Sequence, residues 1–364
     1  MNNPIGARLL PMCMVACVHM QPFINRIYQL GGALFQTKED SSAVTLADTL
    51  IQSLLRKLLT PFVEDCIGEE STEYDWEHSK LDDAELQKLV DQAYKDIDTL
   101  IDMNKTYTEI RSHNLLAIVD PVDGTREFTI KRGNESTICI GFAKKEYHSG
   151  KYVPYAGLIF RPIYKDPTAT VRGPPEYAMG CVAEGFKYDT LSRYSDGHDK
   201  FVTSSSTLSP FLQQILTHDY KHVRIGGCGN KTLLLLEGRG DIYLQDRGVS
   251  RWDTCAAQAI LEAYDGGLWK LTNFLQSNTY TTYEYRVSDV NMDPNPSARF
   301  GKMNMTTIEP DVLGTPIGDK NELVKPYSNL CGLLALPYSM VGNAQRMKRL
   351  VDTLKMLTEP PAYD

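Results

Sequence analysis

Positive charge is what this 364-residue chain most lacks: 38 Lys and Arg stand against 46 Asp and Glu, for a net charge of -8. Without a broad basic surface it cannot neutralise a run of nucleic-acid phosphates, which excludes a nucleic-acid polymer as partner. A small anionic substrate stays open, because bound cations locally invert the sign of a carboxylate-rich site. Long apolar runs are missing too. None approaches the ~20 residues that a membrane-spanning helix requires. The run Leu9 to Met20 is interrupted by Pro11 and His19 and no small-residue cleavage site follows, so it reads as a first helix rather than a signal segment. The eight cysteines (13, 17, 66, 139, 181, 228, 255 and 331) include no CxxC pair and no nearby histidines at zinc-ligand spacing. They read as reduced, mostly buried thiols of a cytoplasmic protein with neither zinc nor a membrane as partner.

What is present is enough apolar material, 42% of residues, to fill a sizeable core. Residues 9–35 and 43–60 carry apolar side chains at helical spacing and predict two helices in one layer, the second closed by Pro61. Asp82 to Met103 predicts a charged amphipathic helix, read as an outer decoration. Asn114 to Val119 is a nearly continuous apolar run ending in Asp-Pro, as suits a central strand buried on both faces. Further strands are predicted at Ser136–Ala143, Tyr155–Phe160 and Cys181–Ala183. Past residue 200 the pattern becomes alternating: strands at Val223–Ile225 and Asp241–Gln245, helices from Lys231 and over Thr254–Tyr264. Residues 272–325 have little periodicity and predict a long surface excursion. The change near 200 suggests an α+β domain over residues 1–200 and an α/β domain over 201–364.

The chemistry concentrates in Asp120-Pro121-Val122-Asp123-Gly124-Thr125. Asp120 ends the predicted strand, where sites of layered α/β proteins lie, and Gly124 lets the chain turn so that both carboxylates aim at one point. Two acids so close repel unless a cation lies between them, and a hard divalent metal is the natural filler. The plainer alternative is a polar turn, since Asp-Gly is a common hairpin signal. Gly68-Glu69-Glu70-Ser71, Asp48 and Trp252-Asp253-Thr254-Cys255-Ala256-Ala257 strengthen the metal reading. Each has a plain alternative: a solvated glutamate pair, an exposed helical acid, and a helix N-cap at Asp253.

Taken together and in this order, these segments resemble the lithium-sensitive phosphatase superfamily that contains inositol monophosphatase, fructose 1,6-bisphosphatase and the 3'(2'),5'-bisphosphate nucleotidases. The segments Thr45-Leu46-Ala47-Asp48, Gly68 to Tyr74 with Trp76, Gly238 to Tyr243, Trp252 to Leu261 and Asn329 to Ala335 look like the inositol polyphosphate 1-phosphatase branch. The nucleotidases, which share Trp-Asp-Thr-Cys-Ala but usually follow it with proline where Ala257 stands, are the alternative. A non-catalytic metal-binding relative is a third possibility. The resemblance implies an α/β fold, a layered αβαβα sandwich of the sugar phosphatase type. It implies two or three Mg2+ ions, Li+ as inhibitor, and a small inositol phosphate such as the 1,4-bisphosphate as substrate. By the same resemblance Glu69, Asp120 and the Val122 carbonyl hold one ion and Asp120, Asp123 and Asp253 the next, with Glu70 and Asp48 as outer or third-site carboxylates. Asp48 bonded to Thr125, with Glu69 assisting, orients the attacking water. Asp123, the amides of Gly124 and Thr125, and Ser205, Gly227, Cys228, Lys231 and Asp253 contact substrate. Lys231 has the alternative of a surface lysine opening a helix, and Thr207 stands where the family places a basic residue.

Overall fold

The computed structural model describes residues 6–31, 35–37, 43–70, 81–104, 112–165, 173–194, 200–204, 208–218, 220–246, 249–285, 316–317, 322–323, 329 and 331–361. The chain opens with α1 (Gly6–Leu30), the short ribbon β1 (Phe35–Thr37) and β2 (Ala43–Thr45), and α2 (Leu46–Leu59). The helix expected from residue 43 therefore starts at Leu46. Thr45 caps it with its hydroxyl and holds the first residues extended. Next come β3 (Val63–Gly68), α3 (Ala84–Met103), β4 (Ser112–Asp123), α4 (Thr125–Thr129), β5 (Thr137–Lys145), β6 (Tyr152–Arg161), β7 (Glu176–Cys181) and β8 (Phe186–Asp189). The strand expected at Cys181–Ala183 lies earlier, and Val182–Glu184 is a single 3-10 turn.

Strands β3 to β8 form a six-stranded sheet in sequence order, parallel between β3 and β4 and antiparallel elsewhere. One face packs on α1, α2 and α3 through Leu115, Ala117, Val119, Ile138 and Phe142. Helix α3 belongs to this layer rather than to the periphery: Leu86, Val90, Ala93 and Ile97 recur at three- and four-residue spacing and are all buried in the same cluster.

The second half supplies β9 (Lys200–Thr203), α5 (Pro210–Ile215), β10 (Lys221–Arg224), α6 (Cys228–Glu237), β11 (Ile242–Gln245), α7 (Arg251–Ala263), β12 (Gly267–Lys270) and α8 (Leu271–Ser277). After the two-stranded ribbon of β13 (Pro316–Ile317) and β14 (Glu322–Leu323), β15 (Leu333–Leu336) returns to the sheet and helix Ala344–Met356 follows. The order is β10-β9-β11-β15-β12, with β15 antiparallel to both neighbours.

Helices α6 and α7 lie between the two sheets, in a core that joins Leu116, Ile118 and Ile159 to Val202, Tyr243 and Leu333. Alternate residues of the second sheet, Phe201, Ile242, Leu244 and Leu334, turn to the opposite face and meet α5, α8 and helix Ala344–Met356. Helix, sheet, helix, sheet and helix follow one another, the expected αβαβα layering. The predicted excursion at 272–325 is shorter than it reads: residues 271–277 are helical and Tyr283 and Tyr285 are fully buried, while residues 286–315 lie outside the described part. None of the eight cysteines forms a disulfide, and all are buried. No helix among the described residues is long and apolar enough to cross a membrane.

Candidate metal centre

Strand β4 does not stop at Asp120 but runs on to Asp123, with a slip in register. Asp120 stands opposite Cys139 and Asp123 opposite Thr137, so β4 absorbs one extra residue at Pro121-Val122. Such a bulge bends a strand and re-aims its side chains. Asp120, Asp123 and Asp253 each place a carboxylate oxygen in a group whose atoms lie within 4.8 Å of one another. Asp120 is 2% exposed, and its Oδ1 is buried without a hydrogen-bond partner. A buried acceptor left unpaired costs about 1–3 kcal/mol and more for a charged group. A cation between these oxygens removes the penalty, and an all-oxygen set suits a hard ion such as Mg2+ or Ca2+.

Asp123 is held from behind. It accepts the Thr137 hydroxyl at 2.7 Å and the first amides of α6, Cys228 N at 2.8 Å and Gly229 N at 2.7 Å. The turn into α6 depends on Gly227, whose φ is +67° and where a Cβ would lie 2.6 Å from the Glu135 carbonyl and 2.9 Å from Asp123 Oδ2. The preceding Gly226 is clamped at both ends. Its N–H donates to Glu135 at 2.7 Å, and its carbonyl accepts from Asn230 at 3.3 Å.

Asp48 and Asp253 occupy equivalent helical positions. Each is the third residue of its helix in a capping box, with Thr45 and Ser250 as the respective N-caps. Asp253 is therefore not the cap itself. Asp48 is fully buried rather than an exposed helical acid. Its Oδ2 accepts Thr45 N–H at 2.7 Å, and its Oδ1 lies 3.2 Å from the Thr125 hydroxyl. That hydroxyl is also 2.9 Å from the Val122 carbonyl and has one proton to give to either.

The electrostatics follow from these positions. Burial, reinforced by Glu69 and Glu70, pushes the Asp48 carboxyl up to about 7 against the Thr45 hydrogen bonds. Burial, then Asp123 and Glu69, raises Asp253 to about 8. Asp120 is held well above the usual carboxylate range by burial and by Glu69, Asp123, Asp253 and Asp48. Burial raises Asp123 too, opposed by its hydrogen bonds and by Lys231. Glu69 is half-buried at the end of β3, and Glu70 beside it is buried. Asp48 and Asp253 stand in the first turns of α2 and α7, Thr125 opens α4 and bonds Asp48, and the first amides of α6 bond Asp123, so four helix amino ends meet at this cluster.

Lys231 is not a surface lysine. It is 3% exposed in the first turn of α6, with its Nζ 3.2 Å from Gln245 Oε1 and 4.9 Å from the Tyr243 ring centre. Cys228 is buried, and burial raises its thiol pKa. Gly124 is the N-cap of α4, placing Thr125 at the helix start. Ser205 and Thr207 lie outside the described residues. Two contributors escaped the sequence reading: Thr137, identifiable only once β4 and β5 are in register, and Gln52, whose one-turn spacing from Asp48 on α2 was the available signal.

Fold and cluster together define a layered αβαβα protein in which a group of carboxylates able to hold a hard cation lies at the ends of strands and the starts of helices. The chain belongs to the inositol monophosphatase family, which it matches over residues 25–291. Among its relatives is 3'(2'),5'-bisphosphate nucleotidase 1 of Homo sapiens, 30% identical over 242 residues, covering 64% of this chain and 70% of the relative. The Rattus norvegicus enzyme of the same name is 32% identical over 168 residues, 44% of this chain and 52% of the relative. The chain thus spans about half the length of that relative. Inositol polyphosphate 1-phosphatase of Homo sapiens is 27% identical over 299 residues, 65% of this chain and 74% of the relative. The resemblance read from the sequence toward that branch is therefore weaker, in identity, than the one toward the nucleotidases. Two solved structures share the fold: the extragenic suppressor protein SuhB of Bartonella henselae and an IMPase/NADP phosphatase complexed with Mg2+ and phosphate. The first has TM-score 0.56 and 15% identity, with 96% of this chain and 98% of that chain covered. The second has TM-score 0.55 and 11% identity, with 99% and 100% covered.

Proposed function

We propose that the chain is a magnesium-dependent phosphatase of a small bisphosphate, with a 3'(2'),5'-bisphosphate nucleotide as the favoured substrate. The observation that carries the chemistry is the orphaned Asp120 Oδ1 inside a three-carboxylate group. The nucleotide preference rests on the 30–32% identity to bisphosphate nucleotidases. In this reading Glu69, Asp120 and the Val122 carbonyl hold one ion, and Asp120, Asp123 and Asp253 hold the second, with Glu70 and Asp48 at the margin. Bound ions of this kind neutralise the phosphate, make water nucleophilic and stabilise the departing alkoxide.

The chain does the positioning. Asp48, buried beside the cluster with its carboxyl raised by burial in the metal-free protein, is placed to take a proton from the attacking water. Thr45 and Thr125 fix its orientation, so that its proton-accepting oxygen is held rather than searching. The amides of Gly124 and Thr125 receive phosphate oxygens, and Lys231 adds positive charge behind the α6 turn. Lithium inhibition belongs to the same reading.

A second reading, hydrolysis of the 1-phosphate of inositol 1,4-bisphosphate, is favoured by Ala257 in place of the nucleotidases' proline and by the 299-residue match. Phosphate release from adenosine 3',5'-bisphosphate and inositol 1,4-bisphosphate, measured side by side at one Mg2+ concentration, separates the two. A higher kcat/KM for the inositol compound reverses the preference. Release from neither, with or without Mg2+, removes both.

A further inference from the structure

Strand β3 delivers Glu69 and Glu70, but its pairing with β4 ends at Gly68 opposite Val119, and the last link is Glu69 N–H to the Val119 carbonyl at 3.2 Å. Past that point the sheet no longer dictates where the two glutamates go. A side chain takes over. Gln52 is 1% exposed, and its Nε2 donates to the Glu70 carbonyl at 2.6 Å while its Oε1 accepts the Glu70 N–H at 2.8 Å. The amide thus occupies both main-chain groups of one residue, as a neighbouring strand would. The approach is tight: a Cβ at Gly68 would lie 2.2 Å from Gln52 Oε1. Gln52 stands one turn after Asp48 on α2, so one helix face sets Asp48 and the end of β3 relative to each other.

We propose that Gln52 is a positioning residue for the Glu69 and Glu70 carboxylates, acting through its paired hydrogen bonds to the Glu70 main chain. This rests on the metal-dependent reading above. The requirement is for a group that both donates and accepts. Gln52→Glu keeps the volume and the acceptor but sets a carboxylate oxygen against the Glu70 carbonyl, and Gln52→Met keeps the volume with neither function.

The test uses the full chain and two Mg2+ titrations: the rise in Tm without substrate, and phosphate release from the better of the two bisphosphates. Both variants are expected to need roughly 10- to 100-fold more Mg2+ for half-effect in each titration, as when a metal ligand loses its orienting partner. At saturating Mg2+ their kcat should return to within a few-fold of wild type. A lower Tm in EDTA with an unchanged Mg2+ midpoint would mean that Gln52 only supports the fold, and overturns the proposal. If Gln52→Met does not fold, Gln52→Glu decides alone by the same midpoint. A wild-type protein with neither a Mg2+-dependent Tm nor phosphate release overturns the metal reading itself, a result distinct from unchanged variant midpoints.

Discussion

Replacing Asp253 with Asn should stabilise the metal-free protein and weaken the metal-loaded one, because the two states make opposite demands on the same charge. The Asn side chain can still accept the Ser250 N–H, so the capping of α7 survives. What disappears is a negative charge whose oxygen lies within 4.8 Å of those of Asp120 and Asp123. At an effective dielectric of about 20, each ionised pair at that distance repels by roughly 3–4 kcal/mol. Wild type avoids this by staying protonated, since the Asp253 and Asp48 carboxyls are raised to about 8 and about 7. Raised folded pKa values mean that the folded state binds more protons than the unfolded one. Metal-free stability is then full below the ordinary carboxylate range near pH 4 and falls as pH climbs toward 8. Asp253 is half-buried and screened, so the expected gain for Asp253→Asn at pH 9 is about 1–3 kcal/mol, shrinking to within about 1 kcal/mol at pH 5. Urea unfolding in EDTA at the two pH values measures it, and Mg2+ should raise the Tm of wild type far more than that of the variant. Equal pH slopes for the two proteins in EDTA would refute the charge-cluster reasoning.

Three further outcomes follow from the same geometry. Thr125→Val, which removes the hydroxyl shared by Asp48 and Val122, should lower kcat by about 10²-fold, with Thr125→Ser close to wild type in steady-state phosphate release. Gly227→Ala forces a side chain into a positive φ and against the Glu135 carbonyl. It should cost roughly 2–3 kcal/mol in urea unfolding and also weaken Mg2+ binding through the displaced α6 amides. Chelation with EDTA should abolish phosphate release, and added Mg2+ should restore it, as read by a free-phosphate assay; full activity in the chelator would remove the metal from the mechanism.

The residue chemistry of the centre was legible in one dimension. Asp120-Pro121-Val122-Asp123-Gly124 advertises a strand end with two acids, and the apolar run before it announces a strand buried on both faces, because strand and turn preferences are local. Most helices were readable for the same reason, from 3.6-residue periodicity. Periodicity could not say which surface an apolar stripe meets. So α3 looked peripheral until α1 was found packed against it, and the buried Tyr283 and Tyr285 were hidden in a polar stretch.

The rest depends on register and stacking, which couple residues far apart in the chain. The β4 slip that re-aims Asp123 needs β5 as its partner, and the approach of Asp253 to Asp120 needs α7 to lie between the two sheets. Asp48, an ordinary helical acid by pattern, becomes a buried group with a raised pKa because packing takes it out of water and brings Glu69 and Glu70 close from β3. Lys231 changes meaning in the same way, its alternative as a surface lysine giving way to a buried side chain with specific partners, and Gln52, which no sequence pattern singled out, gains its role from the fold alone. Sequence by itself determined which acids were available and which segments carried them. Tertiary structure decided which oxygens share one site, since convergence is a property of packed layers and no short-range pattern encodes it.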